Sequence, residues 1–123
     1  MKTILVIDDF KDMRENIIEV LGANGYNTIE AENGSSGFTR AKEERPDLII
    51  ADIMMPGMDG IELLEKIKND VQTSSLPFMF LTAKAGDANI QRGMEAGADC
   101  YLTKPFKIKD LLLEISYLLG LSK

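Results

Sequence analysis

The chemistry open to this sequence rests on five side chains: the adjacent carboxylates Asp8 and Asp9, the carboxylate Asp52, the hydroxyl of Thr82 and the ammonium of Lys104. Each stands where an apolar run stops. Residues 48–60 read LIIADIMMPGMDG, so an uncharged stretch delivers Asp52 to a point where Pro56, Gly57, Asp59 and Gly60 turn the backbone. A carboxylate so placed caps a loop, binds a cation or acts as a nucleophile. The chain contains no histidine, which excludes His-dependent triads and His-ligated metals. Carboxylates, a hydroxyl, a lysine and backbone groups favour hard cations and phosphoryl chemistry instead. Cys100 is the one cysteine; with no imidazole to activate it, it reads as a small core residue in a reducing compartment.

The elements that must position these groups follow from hydrophobic periodicity. Residues 4–7 are an uncharged β-branched and aliphatic run ending at Asp8-Asp9, the pattern of a strand buried on both faces. Met13, Ile17, Val20 and Leu21 then recur at helical spacing, with Gly22 or Gly25 as the stop. Residues 26–31 predict a short, more polar strand suited to a sheet edge. Asn33-Gly34 turns the chain into a weaker helix that carries Phe38 and Ala41 and ends before Pro46. After the Asp52 strand, Ile61, Leu64, Ile67 and Val71 predict a third helix, and residues 78–81 predict a fourth strand ending in Thr82. The fourth helix, residues 88–96, has a thin apolar face of Ile90 and Met94 with alanines and is expected to be the least firmly held. Residues 98–103 predict the fifth strand, ended by Lys104-Pro105. Ile108, Leu111, Leu112, Ile115 and Leu118 give the last helix what reads as the strongest amphipathic stripe in the chain.

Strict strand-helix alternation predicts an α/β fold: a doubly wound (βα)5 sandwich with a five-stranded parallel sheet of order 2-1-3-4-5, flavodoxin-like. Ligands in such sheets bind beyond the carboxyl ends of the strands where the order reverses, here between strands 1 and 3. Those ends carry Asp8, Asp9 and Asp52. Adjacent strands lie about 4.8 Å apart, so Thr82 is one step from Asp52 and Lys104 roughly 9.6 Å away. A short hydroxyl suffices for the first distance and a long ammonium for the second. Two unit charges 4 Å apart interact by about 4 kcal/mol at an effective dielectric near 20, so three close carboxylates hold a proton or a cation. Magnesium, which takes one or two carboxylates and completes its shell with water and phosphate oxygens, is the natural guest.

Composition bounds the remainder. A chain of 123 residues is expected to be a single domain, 1–123, with its own core. The net charge of -6, spread along the chain, leaves no basic face for nucleic acid. No apolar run approaches a membrane span, and the residues before Ile4 leave no room for a signal peptide, so a cytoplasmic location is expected. Neither a repeat nor a linker interrupts the pattern.

Taken together, Asp8-Asp9, Asp52 with Met54 to Gly60 behind it, Thr82-Ala83 and Lys104-Pro105-Phe106 resemble the response-regulator receiver domain, typified by the bacterial chemotaxis response regulator. That family is a type example of the 2-1-3-4-5 order, so order and resemblance are one expectation and not two. The resemblance implies that Asp52 is the phosphoacceptor, charged by phosphohistidine on a sensor histidine kinase or phosphotransfer protein or by a small phosphodonor. It implies magnesium, with manganese as the substitute, held by Asp9, Asp52 and the backbone carbonyl of Met54, with Asp8 acting through water. Lys104 and Thr82 would contact the phosphoryl oxygens, and the Lys104-Pro105 bond would be cis. Thr82 and Tyr101 would form a switch, exposing a face of helix 4, strand 5 and helix 5 to an unidentified downstream protein or a second copy of the chain. Such a protein is no enzyme beyond its own phosphorylation and slow autodephosphorylation.

Two departures accompany the match. Phe10 follows the acid pair where relatives often place an acidic or amide residue. Met54 and Lys84 flank the water path of the family, and an apolar Met54 cannot orient water, so slow self-hydrolysis is expected. A receiver excised from a hybrid histidine kinase or a multidomain regulator fits the same residues. A flavodoxin-like cofactor carrier would need a hydroxyl- and glycine-rich loop where Asp8-Asp9-Phe10-Lys11 stands. An aspartyl-nucleophile hydrolase would carry a second acid at position 54.

Overall fold

The computed structural model describes residues 1–82 and 87–120. Five strands and five helices alternate: β1 (Thr3–Ile7), α1 (Lys11–Ala23), β2 (Asn27–Ala31), α2 (Gly34–Glu44), β3 (Leu48–Ala51), α3 (Gly60–Asn69), β4 (Phe78–Thr82), α4 (Asp87–Glu95), β5 (Cys100–Thr103) and α5 (Ile108–Leu118). All strand pairings are parallel and the order is β2-β1-β3-β4-β5, as the alternation predicts. The central strands are uncharged because both their faces are covered. Leu5, Ile7, Ile49 and Phe80 pack toward α2 and α3, whereas Ile4, Val6, Ile50 and Leu81 pack toward α1 and α5. The more polar β2 lies at one edge, where a solvated face costs little.

Local chemistry sets the boundaries. Asn33 caps α2 by accepting a hydrogen bond from the Ser36 N–H at 2.8 Å. Asp59 and Glu62 form a reciprocal capping box that starts α3 directly behind the Asp52 loop. Val71 does not belong to α3; it is 93% exposed. The helix stops at Asn69 because Asp70 turns extended and the buried Thr73 hydroxyl donates to the Ile67 carbonyl at 2.7 Å. β5 starts at Cys100, later than expected, because Asp99 spends its backbone N–H and its carboxylate on Phe78 of β4. The deeper amphipathic packing belongs to α3, which buries Ile61, Leu63, Leu64 and Ile67, and not to α5, which buries Leu111 and Ile115 and leaves Ile108 exposed. α4 is thinly anchored, with Ile90 half-buried, Met94 exposed and Gly93 set against the Phe80 ring.

One close approach ties the fold to the Asp52 loop. The Gly60 N–H donates to the Ile53 carbonyl at 2.8 Å, and a Cβ at Gly60 would meet the Asp52 carbonyl oxygen and come within 2.9 Å of the Ile53 Cα. Gly60→Ala is expected to lower the unfolding free energy by about 1–3 kcal/mol. Gly22, in α1 with open space around it, gives the opposite sign: Gly22→Ala is expected to add about 0.5–1 kcal/mol. Urea denaturation midpoints of the two variants check both.

Candidate functional site

Register brings the acids together. Ile7 pairs with Ala51, so Asp8 and Asp52 leave the sheet side by side, and the Asp52 N–H extends the ladder by donating to the Ile7 carbonyl at 3.2 Å. One carboxylate oxygen from each of Asp8, Asp9 and Asp52 lies within 4.8 Å of the other two. Asp8 and Asp52 are buried, and Asp9 is exposed. Neither acid of the pair caps α1, whose N-cap is Phe10 without a side-chain bond. Asp8 and Asp52 do fix their own loops: Asp8 Oδ1 accepts from the Phe10 N–H at 2.9 Å, and Asp52 Oδ1 accepts from the Met54 N–H at 3.2 Å. Each keeps its second oxygen for longer-range work.

That work involves Lys104. Its Nζ lies 3.0 Å from Asp8 Oδ2 and 3.4 Å from Asp52 Oδ2, having crossed β4 from the far side of the sheet. Its backbone N–H donates to the Thr82 carbonyl at 2.7 Å, which fixes the start of the reach. Thr82 ends β4 fully buried, between the lysine's origin and its target. The Lys104–Pro105 peptide bond is cis. Met54 is 65% exposed beside Asp52, and with Asp9, Phe10 and Pro105 it lines a cleft of about 500 Å³ that opens over the acids. Tyr101, paired with Phe80 in the ladder, is 41% exposed on the edge strand. Ala83 of the Thr82-Ala83 motif and Lys84 lie outside the described residues.

The electrostatics favour a cation. Burial pushes the Asp52 carboxyl above its ordinary value of 3.8; the Lys104 ammonium opposes this, the Asp8 charge adds to it, and the Met54 N–H again lowers it. Lys104 therefore leaves the cluster under-neutralised. Three hard oxygen donors within this span, at the floor of an open cleft with room for water, fit a small divalent cation. Cys100 offers no rival nucleophile. It is half-buried and not in the core, its thiol donates to Glu114 at 2.9 Å, and burial pushes its pKa up to about 12.

A residue the periodicity overlooked completes the surroundings. Arg14 is buried on α1 and donates to the main-chain carbonyl of Asp8 at 2.8 Å and to Glu30 of β2 at 2.7 Å. A charge in line with Ile17 and Leu21, on the face that α1 buries, is the signal that could have found it.

The raised Asp52 pKa has a sign that can be measured. A carboxyl with a higher pKa folded than unfolded costs stability where it is ionised, and the cost vanishes as pH falls through the folded value toward 3.8. In buffer with EDTA at pH 7, Asp52→Asn is expected to melt above wild type. Thermal denaturation at descending pH should show the gap closing.

Comparison with known proteins gives this arrangement a family. The response regulator receiver domain pattern matches residues 4–116. The phosphate regulon transcriptional regulatory protein PhoB of Pseudomonas aeruginosa is 42% identical over 118 residues, which is 96% of this chain and 52% of that protein. Histidine kinase P4 of Formosa agariphila is 42% identical over 117 residues, 95% of this chain and 8% of that protein. This chain thus spans about half of the PhoB relative and a small part of the kinase. Among solved structures, the receiver domain of sensor histidine kinase PA1611 from Pseudomonas aeruginosa superposes with a TM-score of 0.90 at 27% identity, covering 97% of this chain and 98% of that one. That structure holds a magnesium ion in its active-site cleft. The match extends over the sheet, its switch point and every strand end described above, and the chain belongs to the response regulator receiver domain family of two-component signalling systems.

Proposed function

We propose that Asp52 is the phosphoacceptor of this receiver and that residues 1–123 act as one phosphorylatable unit. The observation that carries this reading is the placement of Lys104 Nζ against both Asp8 and Asp52, with the three carboxylates within 4.8 Å. A carboxylate oxygen of Asp52 attacks phosphorus in a phosphohistidine of a sensor kinase or phosphotransfer protein, or in a small acyl phosphate. An O–P bond forms as the P–N or P–O bond breaks, and the leaving imidazole or carboxylate takes the electron pair. Asp9, Asp52 and the Met54 carbonyl would hold magnesium directly, with Asp8 acting through a bound water and manganese able to substitute. The ion supplies neutralisation of the phosphoryl oxygens; Lys104 adds a fixed positive charge, and Thr82 a hydroxyl donor. Catalysis is confined to the protein's own phosphorylation and a slow autodephosphorylation, since the exposed thioether of Met54 cannot align a water.

The same reading supplies a switch. Phosphorylation adds about -1.5 to -2 charge and strong acceptors at Asp52, drawing Thr82 toward it and giving Tyr101 space to turn inward. Phe80 supports this route, lying beside Tyr101 in the ladder and beneath Gly93 of α4. The α4-β5-α5 face then meets a downstream protein or a second copy of the chain. Exposed Leu113 and Tyr117 on α5 supply apolar area for that contact. Direct nucleic-acid binding forms no part of the role of this unit, which is cytoplasmic in this reading. Among the described residues, no helix is long and apolar enough to cross a membrane. The PhoB and histidine kinase P4 relatives support either a regulator or a kinase as the surrounding context.

Intact mass after incubation with acetyl phosphate and magnesium tests the assignment. Wild type is expected to gain one phosphoryl group, and Asp52→Asn none. Equal adducts on both proteins, or none on wild type, would overturn it.

A further inference from the structure

Arg14 is a buried cation that the proposed phosphoryl chemistry does not use. Its guanidinium joins three elements: it projects from α1, donates through Nη1 to the Asp8 carbonyl at 2.8 Å and donates through Nε to Glu30 of β2 at 2.7 Å. The Asp8 carbonyl belongs to the planar peptide that links Asp8 to Asp9. Fixing its direction fixes the rotation of that plane, and with it the backbone angles from which both carboxylates project. Asp8 has further restraints in the Phe10 N–H and Lys104. Asp9 is exposed, and its side chain makes no hydrogen bond or ion pair with another described residue, so its aim depends on the backbone.

We infer that Arg14, oriented by Glu30, is a positioning residue for the acid pair and sets the divalent-cation affinity of the Asp8–Asp9–Asp52 cluster. The inference rests on the reading of that cluster as a magnesium site and adds a residue that does not touch the ion. An arginine is required because its planar fork serves two acceptors at a fixed angle, which a single ammonium does not. Geometry and charge make opposite predictions. A buried positive charge beside the acids repels a divalent ion, so if Arg14 acted through charge alone its removal would tighten binding. If it acts by aiming the acids, its removal weakens binding.

Calorimetric titration of magnesium into wild type, Arg14→Met, Arg14→Lys, Glu30→Ala and Glu30→Gln separates these, with thermal denaturation recording whether each variant is folded. Arg14→Met is expected to bind magnesium about tenfold more weakly or worse, the range typical for groups that orient metal ligands. Arg14→Lys keeps the charge and is expected to lose several-fold. Glu30→Ala and Glu30→Gln lose the same charge, but only Gln keeps an acceptor for the Arg14 Nε, so Glu30→Ala is expected to bind magnesium more weakly than Glu30→Gln, and this pair keeps the test alive if Arg14→Met does not fold. Folded Arg14 variants with unchanged or tighter magnesium binding, or equal binding by Glu30→Ala and Glu30→Gln, would overturn the positioning role. If wild type itself binds no magnesium, the metal reading fails, and this inference falls with it.

Discussion

Negative charge crowded at one end of a parallel sheet is the constraint to which the surrounding structure answers. β1 and β3 end in register, so Asp8 and Asp52 emerge as buried neighbours, and Asp9 stands beside them at the cleft. Water is largely excluded from two of the three, which is why Asp52 holds its proton more tightly than a free carboxyl. The counter-charge comes from β5, two strands beyond Asp52, because Lys104 is long enough to cross β4 and contact both buried acids. One ammonium against three carboxylates leaves a deficit of positive charge that a divalent cation can make up.

Much of the scaffold serves that arrangement. The loop after Asp52 is held between the Met54 N–H, which occupies one Asp52 oxygen, and the Asp59–Glu62 capping box that begins α3. Gly60 lets the start of that helix come against the Asp52 backbone, where a side chain has no space. On the other side Arg14 and Glu30 hold the Asp8 carbonyl. The weakly anchored side of the molecule lies beyond β4, where α4 rests on Phe80 through a glycine and Tyr101 stands partly in solvent. A site clamped on one flank and loosely packed on the other is suited to turning a local charge change into a surface change.

The sheet order and the placement of the acids were legible in the sequence because they depend on one-dimensional patterns. Uncharged runs ending in Asp8, Asp52 and Thr82 mark buried strands whose ends face one ligand zone, and inter-strand spacing explains why a lysine serves at the far strand. Element ends set by distant partners were not legible. Val71 continues the helical spacing of α3, yet Thr73 folds back onto the Ile67 carbonyl and ends the helix first. Ala98 and Asp99 read as strand, but Asp99 is used as a clasp on Phe78. Ile108 fits an apolar stripe and still faces solvent, because α5 packs through Leu111 and Ile115. Arg14 escaped because hydrophobic spacing passes over charged residues, although a charge on a buried helical face is itself a signal that something polar lies opposite.

Borohydride trapping tests the identity of the acceptor most directly. Borohydride reduces an aspartyl phosphate to homoserine, so peptide mass mapping after acetyl phosphate treatment names the phosphorylated position. Homoserine is expected at position 52 alone, formed with magnesium present and lost with EDTA. Homoserine at position 8 or 9, or a phosphoryl adduct that leaves Asp52 unreduced, would contradict it.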